Sequence, residues 1–166
     1  IEASSMLIDT LSLSNFDSAA IWLKWQIANG ITEIDLEGRT VNTINYNEIT
    51  KLINAKFTTL SYSDNTGTLA LHNCEGRITG MTVHILTVNK SVLSFDYQPV
   101  STIGAVVEFV DSTISQTPLG TDNGWKNSTT AVRATNCTWS VALDYTNNDN
   151  TTAQVADVSF IKCSMN

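Results

Sequence analysis

One phrase of alternating apolar and polar residues recurs along the chain. It reads L-A-L-H-N-C-E-G from Leu69, V-E-F-V-D-S-T-I from Val107, V-R-A-T-N-C-T-W from Val132 and V-S-F-I-K-C-S-M from Val158. The copies align on one small residue: Cys74, Ser112, Cys137 and Cys163. Five positions before it stand Leu69, Val107, Val132 and Val158, and three before it stand Leu71, Phe109, Ala134 and Phe160. A period of two with one apolar face predicts a strand buried on one side. Two positions after the small residue the apolar set resumes with Ile114, Trp139 and Met165, Gly76 taking that place in the first copy. A second strand therefore begins at each small residue. Between the two strands the alternation is broken by Asn73, Asp111, Asn136 and Lys162. Asn and Asp tolerate the left-handed conformation, in which a single residue turns the chain sharply. The phrase predicts strand, corner, inward small residue, strand, with Lys162 fitting the corner less well.

Ser112, Cys137 and Cys163 are 25 and 26 residues apart, and Cys74 precedes Ser112 by 38, which leaves room for an irregular coil around Val92 to Tyr97. Self-similarity on this scale predicts a solenoid whose units bury their faces only against neighbours. The expected fold is all-β, a right-handed parallel β-helix, with an antiparallel sandwich as the rival. Polar stretches at Gln98 to Ile103, Pro118 to Lys126 and Asn147 to Thr152 read as loops of variable length.

The start of the chain has a different period. In N-F-D-S-A-A-I-W-L-K-W-Q-I-A-N-G, residues Phe16, Ala20, Leu23 and Ile27 share one helical face, Asn15 or Asp17 can cap the start, and Asn29-Gly30 supplies the stop. I-T-E-I-D-L-E-G-R-T-V follows, with Ile31, Ile34, Leu36 and Val41 as inward candidates. The expected organisation is a junction over residues 1–14 and one β-helix domain over 15–166, closed by a capping helix at about 15–29. Trp22 and Trp25 lie off the Leu23/Ile27 face and either fold over the solenoid edge or meet another subunit or an upstream domain. Ile1 is the start expected of a fragment of a longer chain.

Composition narrows the partners. Nine basic residues against 16 acidic ones give a net charge of −7, which opposes binding to phosphate backbones, so nucleic acid is not an expected partner. No apolar run approaches the roughly 20 residues of a membrane-spanning helix, and membrane insertion is not expected either. Three cysteines are an odd number and occupy equivalent inward positions. Parallel Cβ vectors in a ladder suit a disulfide poorly, and buried free thiols are expected. There is no C-x-x-C, and His72 and His84 show no ligand spacing, so no metal is assigned. Phosphate-loop and dinucleotide fingerprints are lacking, so no cofactor is assigned.

The run F-D-S-A-A-I with its helix, then I-T-E-I-D-L-E-G-R-T-V, then coils bearing L-H-N-C and V-R-A-T-N-C, resembles the pectate-lyase-like β-helices of bacteriophage tailspikes and appendages. Gly38-Arg39-Thr40 replaces the G-x-Y ending usual there. The resemblance implies a homotrimer carried on a virion, assembled in the host cytoplasm, that binds or cleaves host-surface polysaccharide. It also leaves open a C-terminal chaperone domain released by self-cleavage after trimerisation.

Each reading has its residues. Glycan binding calls for aromatic faces beside polar groups on loops, and Tyr97, Trp125 and Tyr145 fall there. Glycan cleavage needs two carboxylates roughly 5 to 9.5 Å apart. Glu108, Asp111 and Asp144 are the candidates, and lyase chemistry would turn to Arg77 or Arg133. Self-cleavage would draw on Ser4 and Ser5 with Glu2 and Asp9. The preferred expectation is a non-enzymatic module for trimer assembly and glycan contact.

Overall fold

The computed structural model describes residues 12–96, 105–116, 129–141 and 157–165. A single 3₁₀ turn, Leu13–Asn15, leads into helix α1, Ala19–Ala28. Among the described residues twelve strands follow: β1 Glu33–Asp35, β2 Thr40–Ile44, β3 Lys51–Ile53, β4 Lys56–His72, β5 Glu75–Asn89 and β6 Val92–Phe95 in the first half. The second half holds β7 Ala105–Val110, β8 Thr113–Gln116, β9 Thr129–Thr135, β10 Thr138–Ser140, β11 Asp157–Ile161 and β12 Ser164–Met165. All belong to one sheet, and every pairing is parallel. Strands wound in one sense around a common core form a β-solenoid, and the antiparallel sandwich is excluded.

Register places like residues in columns. Ile34, Leu52, Leu71, Val88, Phe109, Ala134 and Phe160 lie one above another. A second column runs Leu69, Leu86, Val107, Val132, Val158. A third runs Val41, Phe57, Gly76, Leu93, Ile114, Trp139, Met165. The apparent defect at Gly76 has a cause: a Cβ there would overlap the Phe57 backbone oxygen and ring, so the bare backbone makes room for the aromatic side chain below. Between columns, Phe95, Phe109, Trp139 and Phe160 meet edge to face with ring centroids 6.0, 5.4 and 5.1 Å apart. Each such contact adds about 0.5–1.5 kcal/mol beyond area burial.

Helix α1 covers the β1–β2 end, but its rotation differs from the sequence expectation. Ala19, Trp22, Leu23 and Gln26 are buried and Ala20 is exposed. Apolar residues occur around most of this helix, so periodicity alone does not fix which side turns inward. Trp22 folds down onto the core, whereas Trp25 stays 52% exposed beside exposed Ile21. The cap is neither Asn15 nor Asp17 but Ser18, whose hydroxyl accepts from the Ile21 N–H at 3.3 Å. Asn29 ends the helix and Gly30 follows at φ +77°. Ile31 is exposed, while Ile34, Leu36 and Val41 are buried as expected. Arg39 ties the entering chain to the first rung: its guanidinium donates to the carbonyls of Leu13, Phe16 and Asp17 at 3.3, 2.8 and 2.6 Å.

The coil expected between Cys74 and Ser112 around Val92 is present, and in its described residues it is regular: Lys90 stands at the corner, Ser91 is the small residue, and β6 is in register with β5 and β8. Another rung precedes Cys74, with Asn54 and Ala55 in the same roles.

Candidate functional site

The corners form the first continuous feature. Glu37, Asn54, Asn73, Lys90, Asp111, Asn136 and Lys162 all have φ between 51° and 53°. Asp and Asn tolerate this region, yet Lys90, Lys162 and Glu37 adopt it as readily, so Lys162 is a full member of the series. Side chains explain the order of types. Asn54 Nδ2 donates to Asp35 Oδ1 at 3.1 Å, Asn73 Nδ2 to Asn54 Oδ1 at 2.7 Å, and Asn136 Nδ2 to Asp111 Oδ1 at 2.7 Å. A carboxylate only accepts, an amide accepts and donates, and a lysine only donates. Each of these runs starts on an aspartate and ends on an asparagine, Asn73 in one and Asn136 in the other.

Inside the corners lies a second column: Ala55, Cys74, Ser91, Ser112, Cys137, Cys163. Ser91 Oγ donates to the Asn89 carbonyl at 2.9 Å and accepts the Cys74 N–H at 3.0 Å. Ser112 Oγ donates to the Val110 carbonyl at 2.8 Å and accepts the Ser91 N–H at 3.1 Å. The thiols repeat the donating half: Cys74 Sγ to the Leu52 and His72 carbonyls, Cys137 Sγ to Thr135, and Cys163 Sγ to Ala134 and Ile161, at 3.3–3.5 Å. Hydroxyl and thiol are interchangeable here because each is small and both donates and accepts. All three cysteines are free. Burial pushes the Cys74 thiol up to about 11, opposed by the backbone amide of Ala55, and it raises Cys137 as well.

Two of the surface grooves on this scaffold are lined by its strands and corners. One, about 120 Å³, runs beside the corners between Asn54, Lys56, Asn73, Glu75 and Lys90 and carries both signs of charge. The other, about 370 Å³, lies where β4 and β5 pass the segment after β2, lined by Asn45, Asn47, Ser61, Ser63, Gly80 and Thr82 with Tyr62 beneath. Asn47 Oδ1 accepts the Ser63 N–H at 2.9 Å, which fixes the amide at the rim. A Cβ on Gly80 would meet nothing within 4 Å, so the groove is open above it. Next to Ser63 on β4, Asp64 accepts from the Thr66 N–H and hydroxyl at 3.0 and 2.9 Å, and these bonds hold its carboxyl below the ordinary range. Tyr62 is raised by burial and then by the Asp64 charge. The lining offers amide and hydroxyl donors and acceptors without formal charge, the chemistry that hydrogen-bonds sugar hydroxyls.

Of the carboxylates singled out for glycan cleavage, Glu108 and Asp111 are described. They share a rung: Glu108 is exposed on β7 between Thr87 and Arg133, and Asp111 is the corner held by Asn136. Arg77 forms a two-point ion pair with Asp96 at 2.7 and 2.8 Å. Asp144, Tyr97, Trp125, Tyr145, Ser4, Ser5, Glu2 and Asp9 lie outside the described residues. Among the described residues no three His, Cys, Asp or Glu side chains gather as a metal site, and no helix is long and apolar enough to cross a membrane. The uncharged groove went unread because its lining comes from three separate segments that only register brings together. Compared with profiles of known families, with curated proteins and with solved structures, the chain matches none of them.

Proposed function

We propose that this chain is a rigid β-helix module of a bacteriophage spike or appendage, assembled as a homotrimer, that holds host-surface glycan without cleaving it. The observation that carries glycan contact is the uncharged groove of Asn45, Asn47, Ser61, Ser63 and Thr82 on a parallel-sheet flank. Ser61, Ser63 and Thr82 sit on strands and Asn47 is tied to Ser63, so little ordering accompanies binding at these groups. The order of capping helix, G-x-x turn and stacked coils supports the phage reading, and the exposed Ile21 and Trp25 on the outer side of α1 support contact with another subunit or an upstream domain.

Titration with neutral capsular or cell-wall oligosaccharides, followed by amide chemical shifts, tests the site. Shifts are expected at Asn45, Asn47, Ser63 and Thr82. Gly80→Phe fills the open space and is expected to abolish them while leaving the melting midpoint in place. Shifts elsewhere, or undiminished binding by Gly80→Phe, would remove the groove from the proposal. Light scattering tests assembly, and a monomeric mass at high concentration would remove the trimer.

A further inference from the structure

Three thiols share the inward small-residue column, and only two of them are neighbours. Register puts Ala55 below Cys74 and Ser91 above it, so that thiol stands alone. Cys137 has Ser112 below and Cys163 above. Successive rungs of a sheet lie about 4.8 Å apart, and equivalent positions face the same way.

The side chains bring the two thiols together. Cys163 Sγ donates to the Ala134 carbonyl of the rung below at 3.4 Å, so it leans toward Cys137, whose own Sγ donates to the adjacent Thr135 carbonyl at 3.3 Å. Burial pushes the Cys137 thiol up and the Ser112 backbone opposes this, while Cys163 adds to the rise through its charge and a hydrogen bond between the two side chains. Among the described residues no His, Asp or Glu joins the pair. Cys74 also leans down, donating to the Leu52 carbonyl at 3.4 Å, but the small residue of that rung is Ala55.

Two sulfurs suit one kind of ion. Zinc takes four ligands and hard cations take oxygen, whereas soft sulfur ligands select copper(I). A monovalent ion with a filled d shell is satisfied by two thiolates in line. With metal–sulfur bonds of about 2.3 Å, the sulfurs of such a unit stand about 4.6 Å apart, which is close to the rung spacing, so the backbone need not move. We infer that Cys137 and Cys163 form a binding site for one soft monovalent ion of the copper(I) class, held between two rungs. Each thiol releases its proton to solvent and gives a sulfur lone pair to the ion. No electron is transferred.

The test offers the reduced full chain, under argon, copper(I) as a coloured bicinchoninate complex, and follows the loss of colour together with the native mass. One ion per chain is expected, with a mass gain equal to the ion less two protons. Cys137→Ser and Cys163→Ser put into the column the residue that Ser91 and Ser112 already supply, so the melting midpoint without copper should stay near that of the parent. Both variants are expected to take no copper, and Cys74→Ser is expected to take it as the parent does. Loss of uptake by Cys74→Ser, an ion retained by Cys137→Ser or Cys163→Ser, an ion shared between two chains, or no transfer to the parent would each overturn the inference.

Discussion

Ser112→Ala isolates the reason for the repeated small polar residue. Ser112 is buried, and its hydroxyl serves two backbone groups, donating to the Val110 carbonyl and accepting the Ser91 N–H. The Val110 carbonyl keeps a second donor in the Lys90 N–H at 3.1 Å, so it loses only one of two bonds. The Ser91 N–H loses its acceptor. An orphaned buried donor costs about 1–3 kcal/mol and an ordinary lost hydrogen bond about 1, so the substitution is expected to cost about 2–4 kcal/mol. Ser112→Cys keeps both functions at the longer distances seen for the native thiols and is expected to cost less than about 1 kcal/mol. Urea unfolding followed by far-ultraviolet dichroism separates the two: with a slope near 2 kcal/mol/M, Ser112→Ala lowers the midpoint by roughly 1–2 M. Amide exchange adds a local readout, since Ser91 should lose protection in Ser112→Ala and keep it in Ser112→Cys. Equal midpoints for the two variants, or an unchanged Ser91 amide, would refute the argument that the side chain acts through these bonds.

Three further outcomes follow from the same geometry. Asn136→Val places a β-branched residue at φ 53° and removes the bond to Asp111, so a loss of about 2 kcal/mol is expected at an exposed position, whereas Asn136→Gly should cost much less; equal midpoints in urea would contradict this. Gly76→Ala forces a Cβ against the Phe57 backbone and is expected to cost about 3 kcal/mol, a fall of roughly 6–12 °C in melting midpoint. An unchanged midpoint would show that the column adjusts freely. The Cys74 thiol ionises at about 11 when folded against 9.0 ordinarily, so from pH 9 the unfolded chain releases its proton first and stability falls until the folded thiol also ionises. The loss amounts to roughly 3 kcal/mol; Cys74→Ser, which does not titrate there, should show a correspondingly smaller alkaline decline in urea midpoint, and an identical decline would contradict the assignment.

The repeat was legible because the hydrophobic alternation before the small residue recurs in four copies and an Asn or Asp corner in three of them. The rung of Asn54 and Ala55 has no counterpart in that pattern, and the coil around Val92 reads from the sequence as irregular. Ala55 lacks the heteroatom that marks the others, and Lys90 at its corner hides Ser91 from a pattern built on Asn and Asp. The inward alternation of Phe109, Ala134 and Trp139 could be read directly, since period two leaves no choice of face once one residue is assigned. Helix α1 offers no such constraint, having apolar residues on several sides, and its buried face was placed one residue off. The uncharged groove could not be read in this way. Asn45, Ser61 and Gly80 are ordinary polar or small positions in their own segments, and their proximity depends on the register shifts between Phe57 and Ser61 in β4.

Closure by α1 makes the first rung depend on one side chain. The rung carrying β1 and β2 is clamped by a helix and by the three carbonyls that Arg39 gathers. In a stack stabilised by nearest-neighbour contacts, a unit that loses one interface melts earlier than a unit that keeps both. With Arg39→Ala, denaturation should therefore begin like a zipper at this rung, so that a fluorophore near the helix would report the first step.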